Sequence, residues 1–134
     1  MKNGFIKFTE KNMKMPGVPM VSIKNYKGCK RINFNKSAYK FFQGKSRQIE
    51  SYFNPRDRII AVKEIDKKTP TSHSMAVNKV SKSAYVTLNG FFKFFGIRLP
   101  DRNLKIEVKW DDQEKILLIP LPKDIEIGFN EETE

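Results

Sequence analysis

Apolar and polar residues alternate along much of this chain with a period of two, which predicts strands rather than long helices. Alternation runs over residues 21–26 and returns over 31–35, with Lys27-Gly28-Cys29-Lys30 as the hairpin turn between them. Before this hairpin, Phe5, Ile6 and Phe8 give a weak strand followed by the turn-rich stretch Lys14-Met15-Pro16-Gly17-Val18-Pro19. After it, Ser37 to Phe42 predicts a helical turn ended near Gly44, and "KSRQIESYFNP" extends helix as far as Pro55. Residues 58–65, "RIIAVKEI", predict a strand, the polar segment 66–71 a turn, and Met75-Ala76-Val77 the returning partner.

The second half repeats this order of elements. "RINFNKSAYKFF" is answered by "AYVTLNGFFKFF", with Ile32-Asn33-Phe34-Asn35 set against Val86-Thr87-Leu88-Asn89, and "PRDRIIAVKEI" by "PDRNLKIEVKW". The first copy carries an insertion over residues 43–54 where the second has only 96–99. An internal duplication implies paired units that share one core.

Within the second copy, "FFKFFG" places Phe91, Phe92, Phe94 and Phe95 at i, i+1, i+3 and i+4, one apolar helical face with Lys93 turned away. Ala38, Tyr39, Phe41 and Phe42 have the same spacing around Lys40. Packing is the first reading of both turns; base stacking by a ring and a membrane wedge are the other two.

The net charge of +11 adds a field that attracts polyanions, nucleic acid foremost. From Asp124 onward the chain carries Asp124, Glu126, Glu131, Glu132 and Glu134 and no cation, an acidic, solvated tail that leaves the remainder more basic still. One cysteine, Cys29, allows neither an intrachain disulfide nor a cysteine-based zinc cluster and fits a reducing, cytoplasmic setting. No stretch approaches the ~20 apolar residues of a membrane span.

"VNKVSKSAYVTLNGFFKFFGIRLPDRNLKIEVKWDDQEKILLIPLP" resembles the AbrB/SpoVT-type swapped-hairpin DNA-binding family. The pieces correspond as Val77-Asn78-Lys79-Val80 for the short basic strand, Tyr85-Val86-Thr87-Leu88 for the second strand, and residues 91–97 for the helical turn, with Phe95-Gly96-Ile97 at the family's leucine-glycine-isoleucine. Residues 101–108, the acidic turn Asp111-Asp112 and residues 114–120 stand for the closing hairpin. In the first half, Ile23-Lys24-Asn25-Tyr26 and Arg31-Ile32-Asn33-Phe34 stand for the first two strands, and residues 59–62 with 75–77 for the last hairpin. The family's proline after the second strand is missing from both copies, where Asn35 and Asn89 stand, and its strand-opening arginine is Arg31 in one copy and Ala84 in the other.

The resemblance implies a mostly β protein with short helices, a tandem swapped-hairpin β-barrel in which two copies interlock as a pseudo-dimer. Its parts are an N-terminal extension (1–20), a degenerate first repeat (21–76), a second repeat (77–123) and the acidic tail (124–134). The function it implies is non-enzymatic binding of duplex DNA by a bacterial or phage transcriptional regulator, with no cofactor.

Lys24, Lys27, Lys30 and Arg31 cluster on the first hairpin, Lys79 and Lys82 at the matching place in the second, and Lys93 on the helical turn; these are the expected phosphate contacts. A single-stranded nucleic-acid binder in which Tyr39, Phe92 or Trp110 stack on bases is a second reading. An antitoxin- or inhibitor-type protein that grips an acidic partner, or a homo-oligomer, is a third. No catalytic set is legible: His73 stands alone in a polar loop, Asp111, Asp112 and Glu114 read as a polar turn rather than a metal site, and there is no phosphate-binding glycine loop.

Overall fold

The computed structural model describes residues 18–42 and 46–129. Among these the chain forms β1 (Met20–Tyr26), β2 (Cys29–Phe34), the short helix α1 (Lys36–Tyr39), β3 (Gln48–Asn54), β4 (Ile59–Ile65), β5 (His73–Ser74), β6 (Ala76–Asn78) and β7 (Ser83–Thr87). Then follow helix α2 (Asn89–Phe94), β8 (Ile97–Arg98), β9 (Leu104–Glu107), β10 (Lys109–Asp111), β11 (Ile116–Pro120) and β12 (Glu126–Ile127). The mostly β class expected from the alternation is what is found. The weak strand at Phe5 to Phe8 lies outside the described residues.

Two five-stranded antiparallel sheets dominate, ordered β6-β7-β2-β1-β9 and β10-β11-β4-β3-β5. Their edges are linked by the chain itself. Val108 alone separates β9 from β10, and Met75 alone separates β5 from β6, so at each of these buried residues a strand leaves one sheet and enters the other. Strands shared in this way leave fewer unpaired edges than two free sheets would have.

The pairing is crosswise between the halves. The hairpin β1-β2 joins the hairpin β6-β7 through β2 and β7, and the hairpin β3-β4 joins the hairpin β10-β11 through β4 and β11. In the first junction Ile32 sits opposite Val86, two residues that the repeat aligns with each other, so a local two-fold axis passes between them. The outer strands obey the same axis: β1 takes β9 of the second half at its free edge, and β5 takes β3 of the first.

This register corrects three expectations. "QIESYFN" is strand β3 and not helix: Ile49 is buried while the flanking Gln48 and Glu50 are less so, and β4 supplies its hydrogen-bond ladder. The hairpin partner of β4 is therefore β3 and not residues 75–77, which lead into the pairing with β7. Consequently "PRDRIIAVKEI" does not correspond to "PDRNLKIEVKW"; β4 answers β11, and β3 answers β9 with β10. The division between residues 76 and 77 falls inside β6.

Inward-facing residues of both halves make one core. Val21, Ile23, Ile32 and Phe34 meet Ala84, Val86 and Leu88, with Leu104 and Ile106, and with Ile60, Val62, Leu117 and Ile119 from the second sheet. The helical turns plug this core across the halves. Phe41, just after α1, stacks on Trp110 of β10 at 5.0 Å and 7° between rings, while Phe95, just after α2, meets Phe53 of β3 edge-on at 5.2 Å. Each such pair contributes ~0.5–1.5 kcal/mol beyond its buried area. Asn35 caps α1, its side-chain oxygen accepting the Ala38 amide at 2.8 Å.

Residues 124–127 are not a solvated tail. Ile125 is buried, β12 pairs with β8, and the Gly128 amide donates to the Gly96 carbonyl at 2.7 Å. Gly96 has φ +62°, and a Cβ there would lie 2.9 Å from Gly128 Cα, so only glycine suits both the backbone and the approach. Arg102 pairs with Asp124 at 2.7 Å and Arg98 with Glu126 at 3.4 Å, while the Arg58 guanidinium donates to the carbonyls of Pro122, Lys123 and Ile125.

The four phenylalanines of "FFKFFG" do not share one buried face. Phe92 is 0% exposed and Phe91 is buried, but Phe94 is 66% exposed. Phe92→Ala is expected to cost about 3–5 kcal/mol in urea unfolding, and Phe94→Ala about 1 kcal/mol. Equal losses from the two would contradict this division.

Candidate nucleic-acid interface

The outward face of the first sheet follows from strand alternation. With Val21, Ile23, Ile32, Phe34, Ala84 and Val86 inside, the pleat turns Ser22, Lys24 and Tyr26 of β1, Arg31 and Asn33 of β2, and Tyr85 and Thr87 of β7 outward. Register sets them in rows. Lys24 faces Arg31, which faces Thr87; in the next row Lys105, Ser22, Asn33, Tyr85 and Ala76 lie in line.

Like charges directly opposite on a sheet face repel and destabilise it. Lys24 and Arg31 are such a pair, and among the described residues no carboxylate relieves them: residues 18–42 and 75–98, which supply β1, β2, β6, β7 and both helices, contain ten Lys and Arg and no Asp or Glu. Among the described residues the carboxylate that the strands bring to this face is Glu107, at the far end of the edge strand β9. An unrelieved cationic face of this kind is stabilised by a bound anion.

Arg31 is held rather than free. Its guanidinium lies over the Tyr85 ring at 4.6 Å, and its buried Nε has no hydrogen-bond partner. Stacking fixes the plane of the fork while leaving donors unused, the arrangement that suits bidentate contact with a phosphate or a guanine edge. On either side the face is hollowed. A groove of about 670 Å³ is lined by Asn33, Ala76, Asn78, Lys79, Ser83 and Tyr85, and one of about 310 Å³ by Met20, Ser22, Asn33, Asn35, Ser83 and Lys105.

The two basic turns flank this face at opposite ends. Lys27 and Gly28 join β1 to β2, with both residues at positive φ, and Lys79 to Lys82 lie between β6 and β7, with Lys82 at φ +57°. Continuing the β2–β7 register two residues past Phe34 and Ala84 puts Lys82 level with the start of α1, nine residues from Lys27. At ~3.3 Å per residue the turns are roughly 30 Å apart.

The structure thus gathers Lys24, Lys27 and Arg31 at one hairpin, with Lys30 of the same hairpin alternating to the side of Ile32, and sets Lys79 and Lys82 across the local two-fold from them; Lys93 is exposed on α2. Two further expectations are corrected. Phe92 offers no ring to a base, because it is wholly enclosed in the core. Trp110 belongs to the second sheet, its ring against Phe41 and Phe42, on a different wall from the cationic face. Tyr39 is half-buried beside Phe42. Tyr26, Tyr85 and Lys105 escaped the sequence reading; Lys105 reaches the face only because β9 of the second half pairs with β1 of the first. The absence of acids from both segments was the available signal.

No family model, curated protein or solved structure matches the chain. Among the described residues no helix is long and apolar enough to cross a membrane, and no three His, Cys, Asp or Glu side chains gather as metal ligands.

Shifted titrations lie on the second sheet. Burial, with Glu50 beside it, pushes the Tyr52 hydroxyl up. Hydrogen bonds from Lys115 Nζ (2.8 Å) and the Trp110 indole (3.4 Å) hold the Asp112 carboxyl below its usual range. Lys115→Met removes the larger cause, so the Asp112 midpoint should rise toward the ordinary carboxylate value in an NMR pH titration. An unmoved midpoint would mean the pair is not formed in solution.

Proposed function

We propose that the outward face of the first sheet binds duplex DNA without catalysis, as a transcriptional regulator does, through its phosphates. The observation that carries this is an acid-poor, two-fold-related cationic face whose basic turns stand roughly 30 Å apart, close to the ~34 Å of one duplex turn. Lys24, Lys27 and Arg31 dock on one stretch of backbone and Lys79 and Lys82 on the stretch one turn away, with Arg31 the residue able to reach a base edge. Crosswise hairpin pairing and strands that pass between the sheets at Val108 and Met75 support reading the fold as a tandem swapped-hairpin barrel of the AbrB type, one chain doing the work of a dimer.

Single-stranded nucleic acid is a second reading, favoured by Tyr26, 61% exposed, and by Tyr85, since exposed rings on one sheet beside lysines are what unpaired bases stack on. The two readings separate in a salt titration on matched duplex and single strands. For duplex binding, log K should fall linearly with log salt, at about 0.9 per phosphate neutralised. The double variant Lys24→Gln, Arg31→Gln should reduce the slope by about 2. Feeble, equal binding to both strands near physiological salt overturns the duplex reading; strong preference for single strands replaces it with the second.

A further inference from the structure

At the end of the face where Lys79 stands, a separate pocket of about 430 Å³ adjoins the 670 Å³ groove. Val77, Asn78 and Lys79 line both. The pocket is closed by Tyr39 and rimmed by Lys36 and Lys82, and its volume falls in the ~300–1,000 Å³ range of small-ligand sites. We infer that this pocket takes one unpaired base of the bound nucleic acid, with its flanking phosphates held by Lys36, Lys79 and Lys82. The inference rests on the nucleic-acid reading above and adds a subsite to it.

Three observations carry it. The walls are almost wholly apolar, formed by the Tyr39 ring, the Val77 side chain and lysine stems, which suits a planar hydrophobic ring and not a free phosphate ion. The rim is cationic on both sides, Lys36 from α1 and Lys79 and Lys82 from the β6–β7 turn, and neither element bears a carboxylate. Lys40 also touches the pocket but stands on the ridge shared with a neighbouring hollow, where Glu64 and Asp112 lie, and is left out of the phosphate set. Finally, the pocket shares Val77, Asn78 and Lys79 with the groove lined by Asn33 and Tyr85, so the two hollows adjoin at the edge strand β6. A duplex base is locked in its stack; an extruded one has little unstacking left to overcome.

The test compares a blunt DNA duplex with the same duplex carrying one bulged adenine, using the full chain and fluorescence anisotropy at fixed salt. The bulged duplex should bind about tenfold tighter, the range base–aromatic stacking gives. Tyr39→Ala should abolish this preference while Tyr39→Phe retains it. Because Tyr39 also packs on Phe42, the exposed charge reversals Lys36→Glu and Lys82→Glu provide a second route, each lowering affinity for the bulged duplex more than for the blunt one. Salt-dependent binding of both duplexes with no preference for the bulge, or a folded Tyr39→Ala chain that keeps the preference, overturns the subsite and leaves the duplex reading standing. Binding of neither duplex overturns both.

Discussion

The pairing of β2 with β7 is the contact on which the rest of the structure depends. It puts Ile32 against Val86 at the local two-fold, fuses two hairpins from different halves into one sheet, and fixes the direction in which each half's remaining strands run. Once it is made, β9 is carried to β1, β5 to β3, and the helical turns fall against rings of the opposite half, Phe41 on Trp110 and Phe95 on Phe53. Neither half then encloses a core by itself, because the residues that would close it belong to the other. Most of the ladder is long-range in sequence, and loop-closure entropy must be overcome before such pairing is rewarded, so these crosswise contacts also govern how slowly the chain reaches its fold.

The same crossing sorts the charge. Apart from Glu107 at the end of β9, the strands of the first sheet carry cations without acids, while most other acids of the described residues fall in the segments that build the second sheet and the closing strand. Arg58, Arg98 and Arg102 are occupied in holding the C-terminal segment through its carbonyls, Glu126 and Asp124. Among the described residues the cations of the first sheet have no such partners beside them, and one of them, Arg31, is laid flat on Tyr85 with its Nε unpaired. A face that is costly to keep unliganded and already oriented is the physical basis of the binding proposal.

Much of the local structure was legible beforehand. The hairpin at Lys27-Gly28, the strand from Ile59 to Ile65 and the helical turns after each second strand follow from period-two alternation and turn chemistry, and the repeat of "RINF" in "YVTL" located the residues that meet at the two-fold. The candidate cations on the first hairpin were legible too, because a cluster of Lys and Arg around one turn needs no fold to be noticed. Strand β3 was not: Ser51 and Glu50 dilute its alternation, and only the ladder to β4 holds it extended. Nor was the split between Phe92 and Phe94, since on so short a turn spacing alone does not decide which rings a neighbouring sheet will cover.

The sequence by itself determined a mostly β chain with a strong positive field and similar strand-and-turn segments in its two halves, because these are properties of local period, composition and spacing. Only the tertiary structure decided that β4 belongs with β3 and β11, that Lys105 joins Lys24 on one face, that Glu126 and Asp124 clamp arginines instead of trailing in water, and that Tyr39 meets Lys79 and Lys82 across a pocket. The physical reason is the same in each case: what joins these neighbours, several of them from opposite halves of the chain, is a hydrogen-bond register and a packing of segments that no local pattern of residues encodes.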